Sequence, residues 1–359
     1  MANMINVLNT ILQNASAMYQ ERIPVATQDN ISEVGTAIME YQATENEFLN
    51  ALVNKIAMTI VRNKTFKNPL SVLKKGGVPL GRNIEEIYTN PIKGTTFDPT
   101  GSKLLERSIP DTKAIYHDMN RQGMYKATVS KAQLIQAFTS YQALEKLLNS
   151  IVNAIYSGDN IDEFMLMKNL LNSAMYSDGI YGKKIITQEL FNRGSSGAVE
   201  EEYTTKDMIR AIKTVSQDMA FPSSNWNAYK KLNPDEDAVI TWTPIENQIL
   251  ILRNDLAVEM DVEVLAQAFN VSYTDLKQRT LIVDSFGGLP EDMDSSLYGT
   301  CGAVLCDEAY FQVYDNLQQM ENFRNGEGLY ENFIYHHWQT YSLSLFANAV
   351  AFMLPPSAE

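Results

Sequence analysis

The sequence predicts an α+β protein of about two lobes that carries an extended arm. Three observations carry that expectation. Residues 61–130 are interrupted every few positions by Pro or Gly (Pro69, Gly76, Gly77, Pro79, Gly81, Pro91, Gly94, Pro99, Gly101, Pro110, Gly123), a spacing no helix survives. Residues 130–157 contain neither residue, and apolar side chains recur there every three or four positions. From residue 205 onward, short helical and strand-like patterns alternate, as in a mixed lobe with its own small sheet. At 359 residues the chain exceeds what one small core requires.

The first 60 residues read as two short helical segments around a loop. Val7, Leu8, Ile11, Leu12 and Ala15 share one face, the break falls at Pro24, and Asp29 or Ser32 is placed to cap the second segment. Phe48, Leu49, Leu52, Val53, Ile56 and Ile60 continue an apolar stripe. Between the breaks of 61–130 lie two alternating runs, Ile84 to Thr89 and Ala114 to His117, which fit the strands of a long hairpin. Few residues of this stretch could bury a core of their own. The expectation is an arm that becomes ordered by lying across a sibling molecule.

Leu134, Phe138, Tyr141, Leu144, Leu148, Ile151 and Ile155 predict a helix of about 25 residues. Gly158-Asp159-Asn160 is expected to end it and to cap a second helix through Phe164, Met167, Leu171 and Met175. A Gly/Ser connection around Arg193 to Gly197 leads to a helix from Thr205 to about Ala220. Strands are expected at Ala238–Trp242 and Leu281–Val283, a buried strand or the start of a helix at Ile249–Leu252, and a short helix at Val262, Leu265, Ala266 and Phe269. Further strands are expected at Ala303–Cys306, at Phe311–Tyr314 and, after a turn at 324–328, along Tyr330 to Met353.

Composition bounds the chemistry. Hydrophobic residues make up 45% and charged ones 20%, the balance of a chain that folds. The net charge of −14 disfavours wrapping nucleic acid over the whole surface. That charge is uneven: residues 61–131 hold 13 Lys/Arg against 6 Asp/Glu, and residues 196–310 hold 8 against 20. Two solvated faces of unequal composition would account for this. So would the basic stretch of one copy meeting the acidic stretch of another.

The start, MANMINVLNTILQNAS, lacks a cationic leader segment, and no run reaches the roughly 18 apolar residues of a membrane span. Cys301 and Cys306 alone neither staple this chain nor form a zinc site, which suits a reducing compartment. Three histidines exclude a His-rich metal centre. Phosphate-loop, dinucleotide, metalloprotease and hydrolase-elbow motifs are absent. The turn Lys74-Lys75-Gly76-Gly77 has no helix behind it to take an anion. Glu85-Glu86 and His336-His337 each point to opposite faces of a strand, so neither pair can act on one substrate.

Several stretches do carry a resemblance: Lys74 to Asn90 (KKGGVPLGRNIEEIYTN), Asn120 to Tyr125 (NRQGMY), Ile151 to Lys168, Glu259 to Asn270 (EMDVEVLAQAFN) and the long run Phe311 to Met353. In these, and collinearly over essentially its whole length, the chain resembles the major capsid proteins of phi29-like short-tailed phages. That resemblance implies the HK97-type phage capsid fold. Its parts would be an N-terminal arm at 1–60, an extended loop at 61–130, a peripheral domain with a long spine helix at 131–204, an axial domain at 205–299, and a return to the peripheral domain at 300–359. A known relative continues into an Ig-like surface domain, which is not expected here.

The implied role is a structural one, without catalysis, cofactor or metal. Copies would form hexamers and pentamers of an icosahedral or prolate head shell around double-stranded DNA, held non-covalently. The implied partners are other copies, a scaffolding protein, the portal at one vertex, packaged DNA on the inner face, and head-fibre or decoration proteins, with no membrane. The place would be the virion, and host cytoplasm during assembly. Lys74, Lys75, Arg82, Glu85, Glu86 and Arg121 are the expected inter-subunit contacts, with Lys74, Lys75 and Arg82 facing acidic residues of a neighbour or, in a second reading, packaged DNA. An encapsulin-like shell housing a cargo enzyme is the alternative with the same fold. A non-assembling binding or enzymatic protein is the third reading.

Overall fold

The structure is a computed structural model that describes residues 4–27, 29–41, 43–48, 51, 66–78, 83–101, 105–133, 141–176, 184–193, 199–259, 279–291, 293 and 298–356. Helices whose bounds lie within the described residues are α1 (Met4–Asn14), α2 (Ala17–Arg22), α3 (Ile31–Glu40), α4 (Tyr141–Tyr176), α5 (Thr205–Met219) and α6 (Tyr229–Leu232). The early strands are β1 (Gly76–Gly77), β2 (Asn83–Thr89), β3 (Thr112–Asp118), β4 (Arg121–Ser130), β5 (Ile186–Glu189), β6 (Phe191–Arg193) and β7 (Val199–Glu202). Six more complete the set: β8 (Gln248–Arg253), β9 (Arg279–Val283), β10 (Cys301–Asp307), β11 (Phe311–Asn325), β12 (Tyr330–Leu343) and β13 (Ala349–Met353).

The unbroken apolar runs of β8, β10 and β13 make sense once both faces of their sheet are covered. That sheet runs β5-β13-β10-β8-β9, with β10 antiparallel to both neighbours and the outer pairs parallel. Alternate residues enter two different cores. Ile249, Ile251, Val304, Cys306, Ala349 and Ala351 face the C-terminal half of α4 with Met167, Leu171 and Met175. Leu250, Leu252, Ala303, Leu305, Val350 and Phe352 face α5 through Ile212, Val215 and Met219. Thr204 caps α5, its side chain accepting from the Asp207 N–H, and Asp207 lies in the favourable first turn.

The second sheet, β1-β11-β12-β4, is a long β11–β12 hairpin flanked by β4 and by the two residues of β1. Its turn passes through Leu329 at φ 51°, the one non-glycine residue with positive φ among the described residues. Helices α1 to α3 pack through Leu8, Ile11, Tyr19, Ile31, Val34 and Ile38 onto Val129, Phe333, Tyr335, Ile151 and Ile155. Lys131 and Arg324 tie this layer to the buried Glu45.

The structure departs from several sequence expectations. Helix α4 does not stop at Gly158 but continues to Tyr176. The core-facing ladder Ile155, Asp159, Glu163, Met167, Leu171, Met175 keeps an i, i+4 step straight through the glycine, with two acids where apolar residues would be expected. A Cβ at Gly158 would sit 3.5 Å from the Tyr125 ring, an ordinary contact. Residues Leu134 and Phe138 of the predicted helix lie outside the described residues, as do the helix expected at 262–269 and Arg82.

Tyr330 to Met353 is two strands in different sheets, because Ser344 to Asn348 form a corner: the Ser344 hydroxyl accepts from the Phe346 and Ala347 amides. Residues 238–242 form no ladder strand, only the bridge Ser223↔Thr241. The N-terminal region holds three helices in residues 4–40 rather than one before Pro24 and one after.

The stretch 61–130 is also less detached than expected. Leu70 and Leu73 are buried in the core under α4, and β4 is an integral strand of the second sheet. What projects is the ribbon β2–β3 with its connection.

Candidate functional site

The ribbon β2–β3 pairs in register from Asn83↔Asp118 to Thr89↔Thr112. A two-stranded ribbon is marginal alone, so its inner face, with Glu86, Tyr88, Ile115 and His117, rests on the rest of the chain. His117 is buried at the root. Its Nε2 is 3.0 Å from Glu86, its Nδ1 is 2.7 Å from the Ser342 hydroxyl, and Ser344 donates to the other Glu86 oxygen at 2.7 Å. The outer face presents Glu85, which accepts from the Tyr116 hydroxyl at 2.9 Å. The two neighbouring glutamates thus do different things, as period-2 geometry requires.

Beyond Thr89 the connection exposes apolar side chains with nothing to cover them: Ile92, Phe97 (86% exposed), Leu105 (92%) and Ile109 (82%). Single exposed apolar residues are ordinary, but four on one projecting segment mark a surface awaiting a partner.

Below the ribbon, the chain that leads into it is anchored to α4. Asn68 caps the 3-10 turn Pro69–Leu73 and donates to Glu163 at 2.9 Å, and β1 docks beside Tyr314 and Asp315. Gly76 makes this possible at φ 103°, a conformation open chiefly to glycine. Lys74 is thereby placed between α4 and β11, with Nζ 2.8 Å from Glu163 and 2.8 Å from Asp315. The sandwich continues inward. Gln339 donates to Glu163 and Asp315, His337 spans Asp159 (2.7 Å) and Asp315 (3.0 Å), and Arg121 reaches Asp159 at 3.0 Å.

Both ring nitrogens of His337 face carboxylate oxygens, which accept when ionised, and that arrangement favours the doubly protonated imidazolium. The Gln318 amide nitrogen also lies 3.1 Å from Nε2, where only the amide oxygen could accept from an Nε2–H. Burial disfavours that charge, but the hydrogen bonds to Asp159 and Asp315 outweigh it, and the pKa of His337 is raised. Burial likewise works against the Lys74 ammonium, and Glu163 and Asp315 overcome it, raising its pKa. Burial would raise the pKa of Asp315, yet His337 and Lys74 hold it far below the usual carboxylate range. Three carboxylates thus meet three cations. Glu163, Asp315 and His337 also have the mutual spacing of a metal site, with ligand atoms within 4.8 Å. A lysine ammonium already stands among them, so the belt supplies its own cation.

The sequence-predicted contact residues therefore divide. Lys74, Glu86 and Arg121 spend their charges inside the subunit. Lys75 is exposed, with Nζ 2.8 Å from the Glu308 carbonyl, and Glu85 is exposed on the ribbon. Asp159, Glu163, Asp315 and His337 were not singled out as a site by sequence; the signal that could have found them is the acid pair set into the apolar i, i+4 ladder of α4. Cys301 and Cys306 are buried with raised thiol pKa values, burial being the main cause, and act as small core residues. Among the described residues no helix is long and apolar enough to cross a membrane.

Comparison with known proteins places this geometry. A family model described as Phi29-like phage major capsid protein matches residues 8–353. The major capsid protein of Bacillus phage PZA is 36% identical over 352 residues, covering 97% of this chain and 72% of that protein. That of Streptococcus phage Cp-1 is 28% identical over 346 residues, covering 96% and 92%. Among solved structures, a chain in the capsid of Staphylococcus phage Andhra superposes with TM-score 0.60 at 13% identity, over 82% of this chain and 86% of the other. A chain in the structure of the head fiber and inner core protein gp22 of bacteriophage P68 gives 0.59, also at 13%, over 81% and 87%. At such identity the likeness is one of fold. The cargo-housing alternative finds no support in these relatives.

Proposed function

The chain belongs to the family of phi29-like phage major capsid proteins, and from that premise we propose that its copies close into the head shell by each lending the far end of the β2–β3 ribbon to a neighbour. The observation that carries the reading is the uncovered apolar segment Ile92, Phe97, Leu105 and Ile109. Such a contact is heterologous: one surface of a copy meets a different surface of the next, and the rotation closes into rings of six and five. Each contact can be modest, because simultaneous engagement of many multiplies occupancy.

Lys75 and Glu85 lie exposed toward the root of the ribbon, and acidic surface of residues 196–310 on a neighbour offers Lys75 its counter-charge. Residues 1–60 then act as the N-terminal arm, 61–130 as the extended loop, 131–204 and 300–359 as the peripheral domain, and 205–299 as the axial domain. Assembly takes place in host cytoplasm with a scaffolding protein, around a portal at one vertex. The inner face meets double-stranded DNA through few contacts, given the net charge of −14, and the outer face is available to head-fibre or decoration proteins. The protein's work is mechanical rather than catalytic.

The test is electron microscopy of purified protein, with and without a scaffolding protein, for wild type and for a Phe97→Asp, Leu105→Asp variant. Wild type should yield closed particles and the variant soluble, folded subunits. Normal particle yield from the variant would refute the reading.

A further inference from the structure

Residues 238–240 have the sequence of a strand but no ladder partner, so their backbone groups need other partners. Side chains supply them. The Asn227 amide donates to the Val239 carbonyl at 2.9 Å. Three more come from the ribbon. Asn90 accepts from the Ile240 N–H at 2.9 Å through Oδ1 and donates to the Ala238 carbonyl at 3.1 Å through Nδ2. One carboxamide thereby pairs both ways with the segment, as a neighbouring peptide group would. Tyr88 donates to the Ile240 carbonyl at 2.7 Å, and its ring stacks on Phe346 at 5.6 Å. Lys113 is 3.2 Å from Glu236 and 3.1 Å from Asp111, while Asp111 also receives the Asn90 amide at 2.6 Å. These contacts sit at the last paired residues of the ribbon, where it gives way to the unpaired apolar end.

We infer that Asn90 and Tyr88 are positioning residues: they clasp the ribbon to the 236–241 segment of the same subunit and so fix the direction in which its far end is presented to the neighbouring copy. The inference rests on the reading that the far end engages a neighbour. Leverage is the physical reason for a clasp at this place. About ten residues separate Asn90 from the turn at 99–100, a reach of up to roughly 35 Å. A swing of about 10° at the root would carry the tip about 6 Å over such a reach, more than side-chain packing tolerates. The His117–Glu86–Ser344 contact holds the near end of the ribbon, and the clasp holds its other end; two separated fixings define a direction where one would leave a pivot. The clasp also makes the ribbon and the 205–259 lobe turn together.

The experiment compares wild type, Asn90→Ala with Tyr88→Phe, and the Phe97→Asp, Leu105→Asp variant, reading hydrogen exchange at the Ile240 amide in the subunit together with particle yield and diameter. The clasp variant should exchange Ile240 at least tenfold faster, while its particles fall several-fold in yield or spread in diameter. Wild-type yield and diameter from the clasp variant would overturn the inference, while normal assembly of the apolar-end variant would instead overturn the reading it rests on. Should the clasp variant fail to fold, charge reversal at Lys113 serves in its place. Lys113→Glu, which sets a carboxylate against both Asp111 and Glu236, should lower the yield, and an unchanged yield would overturn the inference.

Discussion

Lys74 lies between two carboxylates that are themselves largely out of water, Glu163 at 1% side-chain exposure and Asp315 at 20%. Removing the ammonium would leave those charges facing each other. Lys74→Met is expected to cost about 3–5 kcal/mol of subunit stability, as when one partner of a buried pair is deleted. Lys168→Ala, whose partner Asp284 is 66% exposed, should cost about 1 kcal/mol or less. Denaturant unfolding of both variants checks the contrast, and equal losses would mean that the belt is not the anchor.

His337 adds a pH dependence of definite sign. Its pKa is raised in the folded chain, so its contribution is complete below the ordinary imidazole value of about 6.5 and is lost as pH rises through the folded value. Asp315 has a lowered pKa, so its contribution is present above about 3.9 and lost as pH falls through its folded value. Wild type should therefore lose urea resistance from pH 6.5 upward, and His337→Gln should show a flatter profile over the same range.

Elements here are decided by what covers them. Strands β8, β10 and β13 carry unbroken apolar runs because helices cover both faces of their sheet, which leaves no polar side to reveal a period of two and made Ile249–Leu252 readable as a buried strand or a helix start. Helix α4 was legible as an amphipathic stripe up to Gly158, and α5 to within a residue. The residues beyond Gly158 were also legible as helix, through Phe164, Met167, Leu171 and Met175, but not as the same helix, because Gly158-Asp159-Asn160 has the composition of an end and a cap. Only the arrival of Arg121, His337 and Lys74 from distant segments explains acids on a core face. Residues 238–242, expected as a strand, form only the bridge Ser223↔Thr241 for the converse reason: their β-propensity is real, but over 238–240 the chain supplies side chains rather than a strand as the partner.

Close approach between elements yields a further test. A Cβ on Gly299 would lie 1.7 Å from the Leu354 carbonyl oxygen, whereas one on Gly326 would meet nothing within 4 Å. Gly299→Ala should push the end of β13 off β10 and cost about 1–3 kcal/mol. Gly326→Ala should leave the melting temperature unchanged within error, and calorimetry of the two separates packing from backbone freedom.

At the scale of the molecule, the chain has the HK97-type phage capsid fold, and its role as a tailed-phage major capsid protein explains features that puzzle in a monomer. An apolar segment at the end of a ribbon is a liability in solution and an asset in a shell. Phe97→Asp with Leu105→Asp should leave the subunit's unfolding free energy within about 0.5 kcal/mol of wild type, since neither side chain is buried in it. The same variant abolishing particles would place those residues' energy between subunits. The collinear stretches that disclosed the family also extend over most of the candidate site, from Lys74 to Asn90 and from Phe311 to Met353, yet they did not disclose which charges face inward.

The amino-acid sequence alone determined the family, the projecting ribbon, the long helix and the presence of a small sheet in the second lobe, because those rest on local spacing and on runs of apolar residues. Tertiary structure alone decided that Lys74, Glu86 and Arg121 are paired within their own subunit, that α4 passes through Gly158, and that Asn90 stands in for a strand. Each of these depends on groups far apart in the chain meeting within hydrogen-bond distance, and no periodicity along a sequence encodes which distant charge a buried carboxylate will meet.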